Sequence, residues 1–263
     1  MRSLIGVVIS AILVSTVLLT TVFATVGIID FSNNNVAFTA SVDSNEGTNQ
    51  YALVEIDEGD NNEETSITLV FHEFKFKVND DSGAISWDFS DGTTGVGSEI
   101  VHEFELPGVY KVTATSVNEG TVKISELTVT VHLDATAEVD NMECACAPTG
   151  KDTVIDLLAN TGTMSLDGYV MVEHDGSSES CSLRNPLQEC HLRVVLERIE
   201  MGNVVSQELL FDDTFRSNEL VVDFSLMDVE FEDGEGLQLR LETDQLRDWH
   251  KPMAAWSASA PIE

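Results

Sequence analysis

An acidic stretch between residues 57 and 64 carries the residue types that bind calcium. It reads Asp-Glu-Gly-Asp-Asn-Asn-Glu-Glu, and carboxylate and amide oxygens are the ligands that Ca²⁺ prefers. Asp57, Asp60 and Glu63 are the candidate metal ligands. The spacing does not match the twelve-residue calcium loop, and acidic runs of this kind are also typical of solvated turns. The sequence therefore predicts no obligatory cofactor and leaves calcium as a candidate.

Four cysteines lie in the second half of the chain: Cys144, Cys146, Cys181 and Cys190. Outside the cell an even number of cysteines predicts disulfides, and four allow three connectivities. Pairing of Cys181 with Cys190 leaves Cys144 and Cys146 as a tight pair, so cross-pairing competes with it. Zinc binding with His191 is the other interpretation, but Cys-x-Cys is shorter than the usual zinc spacing and an oxidising compartment disfavours thiolates.

The chain lacks the motifs of the common enzyme classes. It contains no G-x-S-x-G, no H-E-x-x-H and no Walker-type loop, and its six histidines are scattered without metal spacing. Gly95-Val96-Gly97 lies between predicted strands with no helix after it, so it does not predict a nucleotide loop. We therefore expect that the protein is not an enzyme.

Alternating aromatic residues mark the strand that would position the most distinctive motif. Trp87 and Phe89 fall on one face of this strand and Asp88 on the other. Asp91 and Gly92 then supply turn chemistry, because Asp can bond its own backbone two residues on and Gly accepts a positive φ. A strand followed by a tight turn is expected here.

A second group of motif residues follows this turn. His102-Glu103-Phe104 comes first, and Pro107-Gly108-Val109-Tyr110 then opens another alternating strand. Read with Trp87–Gly92, the series resembles the polycystic kidney disease (PKD) repeat, whose pattern is W-D-F-G-D-G, then H-x-Y/F, then P-G-x-Y-x-V. The resemblance covers residues 65–132 and departs at Ser90, where the family has Gly.

The resemblance implies an immunoglobulin-like β-sandwich that serves as a binding or spacer module with no shared chemistry. In such a module Trp87, Phe89 and Tyr110 would be core or corner residues. His102 is expected to be a structural hydrogen-bonding residue rather than a ligand. Some PKD modules bind calcium near the edge where the acidic stretch falls. The resemblance therefore implies calcium binding here as an expectation only.

The rest of the chain also predicts short strands separated by turns, the pattern of antiparallel β-sandwiches. Residues 200–203 are typical of the turn of a long hairpin. Leu237, Leu239 and Leu241 alternate with polar residues in the clearest half-buried strand. The predicted strands are 66–71, 74–78, 84–89, 100–104, 108–116, 123–131, 153–158, 168–173, 191–199, 204–211, 220–224, 237–242 and 255–259.

The predicted fold class is mostly β, with an N-terminal transmembrane helix, a PKD-like sandwich and a second β-sandwich or jelly-roll-like domain. No second W-D-F-x-D-G motif occurs, so the last domain is not another copy of the repeat. The predicted segments are an anchor at 1–29, an acidic juxtamembrane segment at 30–64 with one short strand at 51–56, the PKD-like sandwich at 65–132, a linker at 133–143 and the four-cysteine domain at 144–263.

Residues 4–29 contain no charged side chain. As a helix they would be about 39 Å long, enough to cross a hydrocarbon core of about 30 Å. A cleaved signal ending near Val22-Phe23-Ala24 is the alternative, but the apolar run continues past that site; a pilin-like leader lacks its processing site. Arg2 is the only charge before Asp30, so the positive-inside rule predicts a cytoplasmic N-terminus and an extracellular remainder in a single-pass cell-membrane protein.

The charge balance is strongly negative. The chain has 13 Lys+Arg against 46 Asp+Glu, a net charge of −33. Such a surface repels nucleic acid and anionic lipid. It suits solubility in a salty medium, where ions screen self-repulsion, so we expect a protein of a high-salt prokaryote, archaea included.

These observations predict a membrane-anchored adhesion protein whose β-sandwich domains bind protein or polysaccharide. Trp249 and Trp256 are expected to be exposed and to supply stacking or edge contacts. The alternative function is an accessory subunit, a stalk or cover, of a membrane protein complex. For that alternative, the small residues on the anchor would allow close helix packing: Gly6, Ser10, Ala11 and Ser15.

Overall fold

The structure is a computed structural model that describes residues 37–57, 63–140, 152–174, 190–215, 217, 219–242 and 250–260. Sixteen β-strands and no helix occur in these residues, which confirms the mostly-β prediction. The strands are β1 Ala40–Val42, β2 Glu46–Asp57, β3 Glu63–Val70, β4 Glu73–Val78, β5 Ala84–Asp88, β6 Thr94–Val96, β7 Glu99–Glu103, β8 Gly108–Asn118, β9 Thr121–Asp140, β10 Thr153–Asp156, β11 Ser165–His174, β12 Cys190–Glu200, β13 Asn203–Phe215, β14 Glu219–Leu226, β15 Glu235–Glu242 and β16 His250–Ser259.

The first sandwich packs the small sheet β1-β4-β7 against β5, β8 and the first half of β9. Period-two alternation explains the packing, because Phe74 and Phe76 of β4 point inward while their neighbours are exposed. Trp87 of β5 and Val112 of β8 close the same core from the facing sheet. All four side chains are buried, so this sandwich has a core of its own.

The second sandwich packs the sheet β10-β15-β12-β13 against β14-β11-β16 and the second half of β9. In β15 the predicted alternation is confirmed, since Leu237, Leu239 and Leu241 are buried. The predicted hairpin turn between β12 and β13 is confirmed as well, with Met201 and Gly202 both at positive φ. A two-residue hairpin turn of type I′ requires a positive φ at both of its central residues.

Strand β9 belongs to both sandwiches. It pairs with β8 through residues 121–131 and with β16 through residues 133–138, and β2 runs parallel to it at residues 130–140. Val129 and Val131 lie in the first core, and Ala135 and Ala137 lie in the second. The predicted linker is therefore wrong for residues 133–140, because hydrogen bonds to neighbours on both sides hold them as strand.

The segment before residue 65 is also more regular than predicted. Where one short strand at 51–56 was expected, β2 has 12 residues and pairs antiparallel with the eight-residue β3. Its alternation is weak because one of its neighbours, β3, is itself exposed along residues 65–70. The described parts of the chain from residue 38 onward form one compact unit.

Several predictions fall outside the described residues. These are the anchor at 4–29, Asp60, Cys144, Cys146, Cys181 and Trp249. Cys190 begins β12, and the pairing of the four cysteines stays a prediction. Within the described residues, no helix is long and apolar enough to span a membrane.

Candidate functional site

The Trp87–Gly92 motif forms the end of β5 and the turn after it. Trp87 and Phe89 are each 1% exposed and lie in the first core. The indole Nε1 of Trp87 donates a hydrogen bond of 2.8 Å to the Gly97 carbonyl, which ties β5 to the segment after β6. Phe89 stacks on the His102 ring with centroids 3.8 Å apart. Both aromatic residues therefore fix the fold and present no surface to a ligand.

Asp91 and His102 form a pair at the mouth of this turn. His102 Nε2 lies 2.7 Å from Asp91 Oδ2, and Thr93 donates to Asp91 Oδ1 from its backbone N–H at 2.8 Å and its hydroxyl at 2.6 Å. Partial burial works to raise the pKa of the Asp91 carboxyl, but the hydrogen bonds from Thr93 and His102 outweigh it and hold the pKa below its ordinary value. The pair is a hydrogen-bonded clasp on the turn, because both Thr93 and His102 bond to the Asp91 carboxylate.

The turn itself depends on an unusual backbone conformation. Ser90 has φ +56° and Gly92 has φ +89°. Asp88 Oδ1 accepts the Ser90 backbone N–H at 2.9 Å. Ser90, the residue that departs from the PKD pattern, therefore has a backbone conformation that glycine adopts more easily than serine.

Pro107, Gly108 and Tyr110 form a corner at the start of β8. The Tyr110 hydroxyl donates to the Leu106 carbonyl at 2.7 Å, and its ring stacks on Phe104 with centroids 4.1 Å apart. Burial, with a smaller effect from the Asp91 charge, raises the pKa of the Tyr110 hydroxyl. A tyrosine that bonds backbone a few residues upstream is the tyrosine corner of immunoglobulin-like sandwiches.

The structure brings two of the three candidate calcium ligands next to each other. The register of β2 and β3 places Asp57 opposite Glu63, while Asp60 lies outside the described residues. No cluster of three or more His, Cys, Asp or Glu residues that could hold a metal is found within the described part of the chain. Calcium binding at the acidic stretch stays a prediction.

A cleft of about 590 Å³ lies where the two sandwiches meet on β2 and β9. This volume falls within the range of small-molecule sites. Its lining is mostly apolar, and its polar members are three carboxylates, three amides and the Tyr51 hydroxyl. The lining residues are Asn49, Tyr51, Leu69, Phe71, Glu105, Leu106, Pro107, Leu133, Asp156, Leu158, Ala159, Asn160, Ile199, Gly234, Glu235, Gly236, Leu237 and Gln238.

Asn49 fixes the wall of the cleft that the first sandwich supplies. Its amide nitrogen donates to the Phe104 carbonyl at 2.8 Å, and its amide oxygen accepts the His72 backbone N–H at 3.0 Å. Asn49 is 2% exposed, so these bonds form out of contact with water. They join β2 to the chain segments that carry Phe71 and Leu106 into the cleft.

Leu158 fixes the opposite wall in a left-handed conformation. Its φ is +56°, which is rare for a bulky residue. Asp156 Oδ1 accepts the Leu158 N–H at 2.8 Å, and the Trp256 indole donates to the neighbouring Leu157 carbonyl at 2.8 Å. Two side-chain hydrogen bonds thus hold an unfavourable backbone shape that turns Leu158 toward the cleft.

Tyr51 and Asp156 are polar residues of the cleft that lie close enough to interact. Burial and, to a smaller extent, the charge of Asp156 raise the pKa of the Tyr51 hydroxyl, so it stays protonated and can donate a hydrogen bond. Arg198 neutralises Glu235 on the far wall at 2.6 Å. The described lining contains no Lys, Arg, His, Ser or Cys, so the cleft offers hydrogen bonding and apolar contact without a positive charge.

A buried carboxylate supports the sheet beside this cleft. Glu197 of β12 is 0% exposed and accepts from Arg240 Nε at 3.0 Å, Gln238 Nε2 at 2.6 Å and Gln207 Nε2 at 2.7 Å. Burial works to raise the Glu197 pKa, but these hydrogen bonds lower it below its ordinary value. This group could not be recognised from the sequence, because its partners come from two other strands, Gln207 from β13 and both Gln238 and Arg240 from β15.

The expectation that Trp256 is exposed is wrong. Its ring is 3% exposed and lies in the core of the second sandwich. The reason is its register on β16, where it is opposite Gly168 of β11 and Ala135 of β9. Small partners on both sides leave room for the indole, so Trp256 contributes to the core and not to a surface.

The first sandwich has a buried tryptophan and a tyrosine corner, which define an immunoglobulin-like β-sandwich module. Comparison with known families matches residues 54–133 to the PKD domain. The chain therefore contains a PKD domain, and the predicted resemblance is confirmed. No curated protein matches the chain significantly.

Solved structures resemble the chain only remotely. Carbohydrate-binding modules from the β-sandwich superfamily align at 12% identity over 88% of this chain and 100% of that one, with a TM-score of 0.27. Infectious bursal disease virus, Gx strain, aligns at 8% identity over 84% and 56%, with a TM-score of 0.32. An endo-1,4-β-D-xylanase of Clostridium thermocellum complexed with xylohexaose aligns at 11% identity over 56% and 23%, with a TM-score of 0.28. At these TM-scores the likenesses imply nothing about the ligand of this chain.

Proposed function

We propose that this protein is a membrane-anchored extracellular binding protein that holds a neutral polysaccharide in the cleft between its two sandwiches. The cleft is the observation that supports the proposal, because it combines an apolar, partly aromatic lining with a few convergent polar groups. The proposal includes no catalytic step and no resident cofactor.

The cleft lining favours a sugar over a purely apolar ligand. A pyranose ring has an apolar face that can pack on an aromatic side chain, and Tyr51 and Phe71 both line the cleft. Its hydroxyl groups can donate to the Asp156 carboxylate and accept from the Tyr51 hydroxyl. Both the apolar face of the sugar ring and its hydroxyl groups would thus contact suitable side chains in the cleft.

Charge distinguishes neutral from acidic polysaccharide. Glu105 and Asp156 lie on the cleft without a positive partner in its described lining. The whole chain carries a net charge of −33. An anionic ligand would have to approach against this charge, so uronate-rich or sulfated chains are excluded from the proposal.

The anchor completes the proposal. Residues 4–29 would hold the protein in the cell membrane with the N-terminus in the cytoplasm, and the sandwiches would face the exterior. An extracellular position agrees with four cysteines available for disulfides. The support is the sequence pattern alone.

The test uses full-length protein in detergent micelles at high salt. It is titrated by calorimetry with neutral oligosaccharides (cellohexaose, mannohexaose and laminarihexaose) and with an oligogalacturonate of the same length. We expect at least one neutral ligand to bind and the acidic one not to bind. Tyr51→Leu should weaken the binding about tenfold, since it removes the ring and the hydroxyl at a cost of about 1.4 kcal/mol.

Tyr169→Leu is the matched control, because Tyr169 is also a partly buried strand tyrosine but does not line the cleft. Its affinity should equal that of the unchanged protein. Equal losses in both variants, or binding of the oligogalacturonate alone, would contradict the proposed site. If no oligosaccharide binds while membrane proteins co-purify with the full chain, the accessory-subunit function replaces this proposal.

A further inference from the structure

Strand β3 has an open edge. Among the described strands it pairs only with β2, in an unbroken antiparallel register from Asp57 opposite Glu63 to Gln50 opposite Val70. Every residue from 65 to 70 is exposed. Ile67 is 56% exposed and Val70 is 54% exposed. A row of backbone N–H and C=O groups therefore faces away from β2, and no other described strand pairs with it.

The other sheet edges of the described residues are short or charged, including the eight-residue β14, which carries Glu219 and Asp223. Strands β1, β6 and β10 have three or four residues, and β7 begins and ends with glutamate. Strand β13 carries Glu208, Asp212 and Asp213 and shifts register twice against β12. Short length, charge and bulges are the usual protections of an edge strand.

Strand β3 has none of these protections along most of its length. Residues 65–70 read Thr-Ser-Ile-Thr-Leu-Val, without a charge, proline or glycine and with four β-branched side chains. This composition has high strand propensity. An edge that is long, regular and uncharged favours the addition of another strand.

We propose that the open edge of β3 binds an extended segment of another protein as an added strand, with lysine or arginine at the end of that segment next to Glu63 and Glu64. The partner is identified by this chemistry alone. The binding goes beyond the proposed polysaccharide site and does not depend on it.

Side-chain register specifies the middle of the partner strand. Ile67 is opposite Leu53, and Leu69 is opposite Tyr51, so these four residues share one face of the sheet. An added strand would continue this row if apolar side chains recur at every second position. The partner segment is therefore expected to alternate apolar and polar residues.

Charge specifies the end of the partner strand and argues against a second copy of this chain. Strand β3 opens with two glutamates, with Asp57 opposite the first of them. Basic residues beside this end would be attracted, and opposite charges across neighbouring strands stabilise the pair. A second copy would instead bring another net charge of −33.

The test uses full-length protein in detergent micelles and three labelled synthetic peptides. Two carry the alternating core Thr-Val-Thr-Val-Thr-Val with two lysines at its N-terminal or its C-terminal end. The third carries two glutamates in place of the lysines. We expect one lysine peptide to bind at least tenfold more tightly than the glutamate peptide by fluorescence anisotropy. Hydrogen exchange at residues 65–70 should slow when that peptide binds.

Ile67→Lys places a charge on the edge and should weaken peptide binding at least tenfold. Val205→Lys is the matched control, because Val205 is 50% exposed on the edge strand β13, and it should leave peptide binding unchanged. Oligosaccharide affinity in Ile67→Lys should also stay unchanged, which separates this inference from the cleft.

The proposal is overturned if neither lysine-bearing peptide binds, or if Ile67→Lys and Val205→Lys weaken peptide binding equally. Binding without slower exchange at residues 65–70 would place the peptide elsewhere. A concentration-dependent dimer that Ile67→Lys abolishes, measured by light scattering, would assign the edge to a second copy and refute the basic partner.

Discussion

Replacement of Ser90 by glycine should stabilise the PKD domain. Ser90 has φ +56°, and an L-residue in the left-handed region costs about 1–2 kcal/mol that glycine avoids. Glycine loses more chain entropy on folding, at about 0.5–1 kcal/mol. The side chain of Ser90 is exposed, and the bond from its backbone N–H to Asp88 Oδ1 survives the change. The expected net gain is about 0.5–1 kcal/mol.

Urea unfolding of the full chain measures this gain, with Ser90→Ala and Ser86→Gly as controls. Alanine keeps the cost of the left-handed backbone, so it should give no gain. Ser86 is an exposed serine within strand β5, where glycine should cost about 0.5–1 kcal/mol. If Ser90→Gly destabilises the protein, or if alanine stabilises it equally, the backbone explanation is refuted.

Two further predictions concern ionised groups. Arg240→Met should lower the free energy of unfolding in urea by about 3 kcal/mol, because it removes the charged partner of the buried Glu197 carboxylate. The control Lys111→Met breaks an exposed ion pair and should lower it by no more than about 0.5 kcal/mol. Equal losses in the two variants would contradict the buried network. Because the folded-state pKa of Asp91 is lowered, its contribution to stability is present above the unfolded pKa of about 3.9 and is lost as the pH falls through the folded value. Asp91→Asn should therefore be less stable than the unchanged protein at pH 7, and the difference should shrink as the pH falls below about 3.9. A pH-independent difference in thermal unfolding would refute the clasp with His102.

Local signals explain which parts of the fold could be predicted. The alternation of Trp87 with Phe89, and of Leu237 with Leu239 and Leu241, depends on side-chain period alone, and the structure buries all five residues. The turn at residues 201 and 202 could be predicted because a tight hairpin requires positive φ. In each case the information lies within a few residues of sequence.

The features that were missed depend on distant pairing. Trp256 was expected at the surface because its own sequence does not show that Gly168 and Ala135 lie beside it. Strand β2 was predicted too short because its parallel partner β9 begins more than sixty residues later in the chain. The cleft, likewise, draws its lining from seven separate stretches. The hydrophobic pattern within a strand does not show which distant segments pack beside it.

Strand β9 also determines how the cleft can bind. It runs without glycine or proline from Thr121 to Asp140 and contributes side chains to both cores. Rotation of one sandwich against the other would break its ladders with β8, β16 and β2. The cleft walls, with Leu106 on one sandwich and Leu158 on the other, are therefore held at a fixed separation before any ligand arrives. A preformed cleft avoids much of the ordering cost of binding, so a few weak contacts would be enough to hold the proposed neutral sugar.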